Sequence, residues 1–371
     1  MNSIYWVPAL LALCFGFIFT YFIRKLAITK SWLPQVRKRD VHIKPTPRLG
    51  GIAMFLAFVG VIIIIWIINP ELLNFATTNL NFGFFEVNKH LFGIILAGTL
   101  ITGIMIIDDI RGLSPWTKLF WQIIAAVIII TSGIGIDFIR NPFGGEIHLD
   151  QIKIPLEFFG SSYNITLWSD LFTLIWLVGM MNIINFLDGV DGLAGGVSII
   201  AAMVIFFLSI SPGINQIATA LLAIILASSI LGFLPFNFPP AKIFMGDTGS
   251  MFVGFMLGVL AIISGGKVTT AFLVLGFPIL DGIWVAITRI RKGQSPFKAD
   301  KTHFHHRMLN MGLSAQQTVF LLYFFAALFG IVALFSSTEE KFSAVIWLLI
   351  IMVIMAVTAV WFKKIKKVSK S

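Results

Sequence analysis

Residues 182–196 read NIINFLDGVDGLAGG and close an apolar run that begins near Leu171. Asn182, Asn185 and Asp188 fall at i, i+3 and i+6, so a helix lays them along one stripe before Gly189 and Gly192 end it. An Asp-Gly turn explains the glycines. It does not explain two asparagines one and two turns deep, because hydrocarbon offers an amide no partner. A cation and a polar substrate would supply those partners, which makes this stretch one wall of a pocket at a membrane interface.

The surrounding composition sets the solvent. Of 371 residues, 58% are hydrophobic and 12% charged, which excludes a water-soluble globule. Apolar stretches of the ~17–25 residues needed to cross about 30 Å of hydrocarbon recur along the whole chain. Spans are expected near 4–24, 50–68, 90–107, 119–136, 166–184, 197–211, 216–234, 249–264, 268–288, 316–335 and 342–362. The first lacks a basic leader and a small-residue cleavage site, so it reads as a retained helix rather than a signal peptide. The lone Cys14 excludes an intrachain disulfide. The fold class is therefore an all-α polytopic membrane protein of about eleven transmembrane helices, and residues 1–371 form one domain.

The net charge of +10 is a matter of orientation, not of nucleic-acid binding. Of the 27 lysines and arginines, 22 fall on one face of that topology, and Lys89, Arg140, Lys153, Lys267 and Lys341 on the other. Basic loops stay cytoplasmic, which puts the N-terminus outside and the C-terminus inside. On the outer side, FGGEIHLDQIKI (143–154) has a Gly-Gly turn and partial alternation, suggesting a small hairpin.

Five polar clusters then share the cytoplasmic face: HIKPTPRLGG (42–51), IIDDIRGLSPWTK (106–118), the opening stretch, FPPAKIFMGDTGS (238–250) and KADKTHFHHRML (298–309). Such one-sided convergence marks an active site. Asp108 and Asp109 end the third span, where the helix dipole disfavours acids; paired carboxylates there can hold a divalent cation or accept a proton. In MGDTGS, glycines let backbone approach a phosphate and Asp247 can accept metal, although the same residues suit a turn followed by an Asp or Thr cap. His303, His305, His306 and Arg307 lack the spacing of a zinc site and suit a phosphate clamp, with a solvated basic loop as the bland alternative. Lys44 and Arg48 on the proline-stiffened loop, and Lys118, read equally as anchors to anionic headgroups or as site cations. Asp281, about two turns inside the ninth span, reads as a residue that packs helices or supports its neighbours.

The ordered set PTPRLGG, DDIRGL with Lys118, NIINFLDGVDGLAGG, FMGDTGS and HFHHR resembles the polyprenyl-phosphate N-acetylhexosamine-1-phosphate transferases (glycosyltransferase family 4-like) over nearly the whole chain. The HxHHR form is similar to the undecaprenyl-phosphate N-acetylglucosamine-1-phosphate transferase branch. That resemblance implies transfer of a sugar 1-phosphate from a UDP-sugar to undecaprenyl phosphate, with release of UMP. It implies magnesium, for which manganese can stand in, and a bacterial cytoplasmic membrane with the site facing the cytosol. Teichoic-acid linkage units, O-antigen and common antigen are the downstream polymers it implies; a homodimer is left open. By the same resemblance, Asp247 and Asn185 are metal ligands and Asp108 or Asp109 engages the lipid phosphate. Asp188 and Asp191 lie near nucleotide or metal, and the histidines, Arg307 and Lys118 hold the diphosphate, with Lys44, Arg48 and Asn182 among the substrate-binding residues. Two rivals remain: a phospho-N-acetylmuramoyl-pentapeptide transferase and a proton-coupled transporter. The transporter is disfavoured because no internal repeat is visible and the acids lie at helix ends rather than at the midplane.

Overall fold

In the computed structural model the described residues are 2–30, 32, 45–75, 77, 79–81, 86–141, 145–158, 161–264, 268–291, 293, 304–337, 340–351 and 354. They form α1 (Asn2–Thr29), α2 (Gly50–Ile68), β1 (Asn79–Asn81), β2 (Glu86–Asn88), α3 (Lys89–Arg111) and α4 (Pro115–Thr131). Strands β3 (Phe138–Arg140), β4 (Glu146–His148), β5 (Lys153–Phe158) and β6 (Ser161–Thr166) follow. Then come α5 (Leu167–Leu187), α6 (Leu193–Ser209), α7 (Ile217–Asn237), α8 (Gly246–Ile263), α9 (Val268–Val274), α10 (Gly276–Arg291), α11 (Phe304–Met311) and α12 (Ala315–Phe335). Residues 340–351 are helical as well.

Among the described residues, seven helices are long and apolar enough to cross a membrane, or eight if the bent pair α9–α10 is one span; α4 and α6 are shorter apolar helices. The chain is a multi-pass membrane protein. Helix α8 packs against α2, α3 and α5, and α7 against α1, α2 and α6. These two are buried on nearly all sides, with 83% of each spanning window inside the protein against 28% for α1. The outer helices turn large apolar side chains outward, such as Phe22 of α1, Ile175 of α5 and Phe324 of α12. A helix apolar on its exposed side is stable only where lipid, not water, lies against it.

Helix starts explain most boundary differences from the sequence reading. Ser114 accepts the Thr117 N–H (3.1 Å) with Pro115 next to it, so α4 begins in its polar segment, ahead of the apolar run expected from 119. Ser314 and Gln317 form a reciprocal capping box at α12. The expected ninth span is the real departure. It is two helices inclined by 83° at Leu275, because Pro278 in the first turn of α10 has no N–H to carry the α9 hydrogen-bond ladder onward. The last expected span, 342–362, is helical over 340–351 and then runs largely outside the described residues. The hairpin expected within 137–165 is present as two antiparallel pairs, β3 with β4 and β5 with β6; a third pair, β1 with β2, was not foreseen.

Candidate active site

Consecutive helices run up and down, so the ends of α3, α5 and α7 meet the starts of α2, α4, α6, α8 and α12 at one end of the bundle. Polar contacts tie these ends together across long stretches of sequence.

The centre is Lys118. Its Nζ lies 2.5 Å from Asp108 Oδ2 and 2.5 Å from Asp247 Oδ2, joining α3, α4 and α8. Asp108 Oδ1 also accepts the Leu113 N–H (2.6 Å), which fixes the turn between α3 and α4. Helix periodicity then carries the contact downward: Gln122, one turn after Lys118, donates to Met251 Sδ (3.1 Å), one turn after Asp247. Helices α4 and α8 thus point in the same direction and are joined by these long side chains, while α4 itself packs on α3 and α5.

Asp109 has a different task. Its Oδ1 accepts the Asp247 N–H (3.0 Å), and its Oδ2 accepts the Thr248 N–H (3.0 Å) and hydroxyl (2.6 Å). An acid disfavoured at the end of its own helix is therefore the cap of another, at the positive pole of α8. Gly246 makes room for it. Its φ of +73° suits glycine, and a Cβ there would lie 2.6 Å from Asp109 Oδ2. The neighbouring Gly249 would likewise place a Cβ 2.9 Å from Gly51 Cα. These glycines serve close approach of one chain segment to another.

The opening stretch divides. Asn185 donates to Asp247 Oδ1 (3.1 Å) and Ser250 Oγ (2.9 Å), so it orients the central carboxylate. Asn182, one turn deeper, donates to Gln122 Oε1 (2.9 Å) and to Val178 O (2.8 Å), which ties α5 to α4 below the site. Asp188 follows α5 directly. Burial, and then the charges of Asp247, Asp109 and Asp191, push its carboxyl well above the usual carboxylate range, with Arg48 opposing. Asp188 and Arg48 therefore belong to the same electrostatic cluster. Asp191 Oδ2 accepts the Ala241 N–H (2.9 Å) and holds the segment that leads into α8. Asn237 works beside it, accepting from Gly192 N (3.0 Å) and donating to Ile243 O (3.0 Å).

The histidine segment reaches the same end. Phe304 and Leu187 line one groove, which places the start of α11 beside the end of α5. Arg307 lies on α11. Lys44 and His303 fall outside the described residues, as do the side chains of His305 and His306.

Asp108, Asp109 and Asp247 each offer a carboxylate oxygen within 4.8 Å of one another. Three hard oxygen donors suit a hard divalent cation, and the Lys118 ammonium between two of them shows that this spot favours positive charge. Asn185 reaches Asp247 through its amide nitrogen, so in this geometry it positions the carboxylate. Gln122, Ser250 and Asn237 were not expected from the sequence. Gln122 had a signal: it sits one turn from Lys118 on an otherwise apolar helix.

The glycosyl transferase family 4 model matches residues 91–265. The chain is 34% identical over 355 residues to the decaprenyl-phosphate N-acetylglucosaminephosphotransferase of Mycobacterium tuberculosis, covering 88% of this chain and 81% of that one. It is 32% identical over 338 residues to a Bacillus subtilis protein named "Probable undecaprenyl-phosphate N-acetylglucosaminyl 1-phosphate transferase", covering 89% and 83%. Similarity extends to the undecaprenyl-phosphate alpha-N-acetylglucosaminyl 1-phosphate transferase of Thermotoga maritima, 25% identical over 320 residues, covering 86% and 87%.

Proposed function

The chain belongs to glycosyl transferase family 4, and on that premise we propose that it transfers N-acetylglucosamine 1-phosphate from UDP-N-acetylglucosamine to undecaprenyl phosphate. The products are undecaprenyl-diphosphate-N-acetylglucosamine and UMP. The observation that carries this reading is the lysine held between carboxylates of two other helices, Asp108 and Asp247, at the end of the bundle where Asp188 and the Arg307 segment also lie. A compact set of mixed charge suits two phosphorylated substrates, one of them soluble and one anchored by its tail.

In the proposed reaction an oxygen of the lipid phosphate attacks the β-phosphorus of the nucleotide sugar. A new phosphorus–oxygen bond forms as the bond from that phosphorus to the bridging oxygen breaks, and UMP departs with the electron pair. A phosphate monoester with a second pKa of about 6 is already mostly dianionic at neutral pH, so no strong base is needed. Positioning and charge neutralisation supply most of the acceleration. Lys118 and Arg307 donate to phosphate oxygens, while Asp109 fixes the first turn of α8 and with it Asp247. Magnesium, or manganese in its place, would be held by Asp247 with Asp108 or Asp109. When bound it supplies neutralisation of the diphosphate and its leaving oxygen.

The remaining readings share this basis. Eleven spans rest on the recurring apolar stretches, and an external N-terminus with a cytoplasmic C-terminus rests on the basic residues, which gather with the site. The site then faces the cytosol in a bacterial inner membrane, at the first membrane step of a cell-envelope polysaccharide. Purified protein supplied with undecaprenyl phosphate, magnesium and UDP-N-acetylglucosamine is expected to release UMP and form the lipid-linked sugar. Failure with this donor but turnover with another UDP-sugar would refute the sugar assignment, and unchanged turnover in excess chelator would refute the metal. Ping-pong kinetics with UMP release in the absence of lipid would replace direct attack by an aspartyl-phosphate route.

A further inference from the structure

Asp281 lies outside the carboxylate cluster, on the helix that follows the 83° break. Its Oδ1 accepts the backbone N–H of Phe304 (3.0 Å), across 23 residues of sequence. One turn earlier on α10, the ring of Phe277 meets the ring of Phe304 edge-on with centroids 4.9 Å apart. Phe277 is itself stacked at 5.5 Å on Phe325 of α12. Backbone and side chain of a single residue are thus held by two positions four apart on one helix face.

Phe304 is the first residue of α11, which has only eight residues. A helix of two turns is marginal by itself, and its leading N–H groups need acceptors. The Asp281 carboxylate supplies one, at the end of α11 where the helix dipole favours negative charge. His305, His306 and Arg307 follow immediately. Across the groove that Asp281 and Phe304 line is Leu187, next to Asp188.

We infer that Asp281 is a positioning residue: with Phe277 it clamps Phe304 and so sets where the His305–Arg307 segment stands relative to the carboxylates. It touches no substrate and acts through Arg307. The break at Leu275 is part of the device, because it gives α10 the direction along which Phe277 and Asp281 meet α11. The kinetic part of this inference rests on the proposed sugar-phosphate transfer; the clamp itself does not.

The test uses the full chain in lipid nanodiscs. Limited trypsinolysis, with cleavage after Arg307 followed by mass spectrometry, reads the clamp without any substrate. Asp281→Ala is expected to speed this cleavage about tenfold, the loss expected for a charge-assisted hydrogen bond, while Asp281→Asn, which keeps an acceptor oxygen but loses the charge, falls between Asp281→Ala and the parent. Phe277→Leu should give a smaller increase and serves if Asp281→Ala does not accumulate folded. Equal cleavage in all variants overturns the clamp, as does an Asp281→Asn protein that behaves like Asp281→Ala. In steady-state assays, Asp281→Ala should lower kcat/KM for UDP-N-acetylglucosamine about tenfold in the parent but leave it nearly unchanged in an Arg307→Ala background. The same factor in both backgrounds would show that Asp281 does not act through Arg307. A parent enzyme that turns over no UDP-N-acetylglucosamine would sink the transfer reading and leave the cleavage result standing.

Discussion

The two ends of the bundle use the same residue types in opposite ways. At the end away from the site, Asp170 accepts the Thr166 N–H and hydroxyl, each at 3.0 Å and four residues away. Asp137 accepts the Ser169 hydroxyl (2.9 Å), and Asn88 donates to Asn74 (2.9 Å). Asp170 and Asp137 thus have neutral partners within 32 residues of sequence, and Asp150 pairs with the nearby Lys153 (3.4 Å). At the site end, Asp108 and Asp247 share one ammonium, and the ties from Asp109 and Lys118 to α8 cross 129 to 139 residues. The lesson is that an acid at a helix end is informative when its partner comes from another helix and other carboxylates compete for it. Locally satisfied acids shape a loop; acids crowded around one cation store a preference for more positive charge, which a metal or a cationic transition-state contact can use.

Substitutions sharpen this contrast in order of size. Asp247→Asn should have the largest effect, lowering turnover by about 10³-fold, because it removes the anionic ligand proposed to hold the divalent cation while keeping the side-chain volume. Its thermal midpoint should stay close to the parent's; a near-normal rate would remove Asp247 from the reaction. Lys118→Met comes next, at about 10²-fold or more, since it withdraws the shared cation and leaves Asp108 and Asp247 repelling one another. An unchanged rate would show that the bridge serves folding alone.

Asp109→Asn should behave differently from Asp247→Asn. One acceptor cannot replace a carboxylate that satisfies two amides and a hydroxyl, so stability should fall by about 1–2 kcal/mol together with activity. Loss of activity with no change in thermal midpoint would move Asp109 from capping to chemistry. Asn182→Leu should cost about 1 kcal/mol and only a few-fold in rate, because its partner Gln122 lies below the carboxylates. At the opposite end, Asp170→Asn is the smallest case, with a few tenths of a kcal/mol lost and turnover unchanged. A large kinetic effect there would break the contrast outright.

Much of this was legible in the chain itself, and particular residues show why. Hydropathy marked the chain as a multi-pass membrane protein, since only apolar side chains can face lipid, and the positions of Asp108, Asp109, Asn185 and Asp247 at helix ends marked one end as the candidate site. The motif order also pointed to the family that the comparisons then showed. The structure corrected the ninth span, where mean hydropathy ran through a break that Pro278 imposes. It also separated Asn182 from Asn185, two residues that share a helix stripe and appear equivalent until their neighbours are known.

What the sequence determined by itself was the solvent, the recurrence of apolar segments along the chain, and which polar residues could stand at one interface. These follow from local properties: hydrophobicity, helix period and charge. Which acid caps α8, which one shares Lys118, and which holds α11 were decided only by the packed fold. Hydrogen bonds of about 3 Å depend on how helices more than a hundred residues apart come side by side, and no local property of either helix contains that distance.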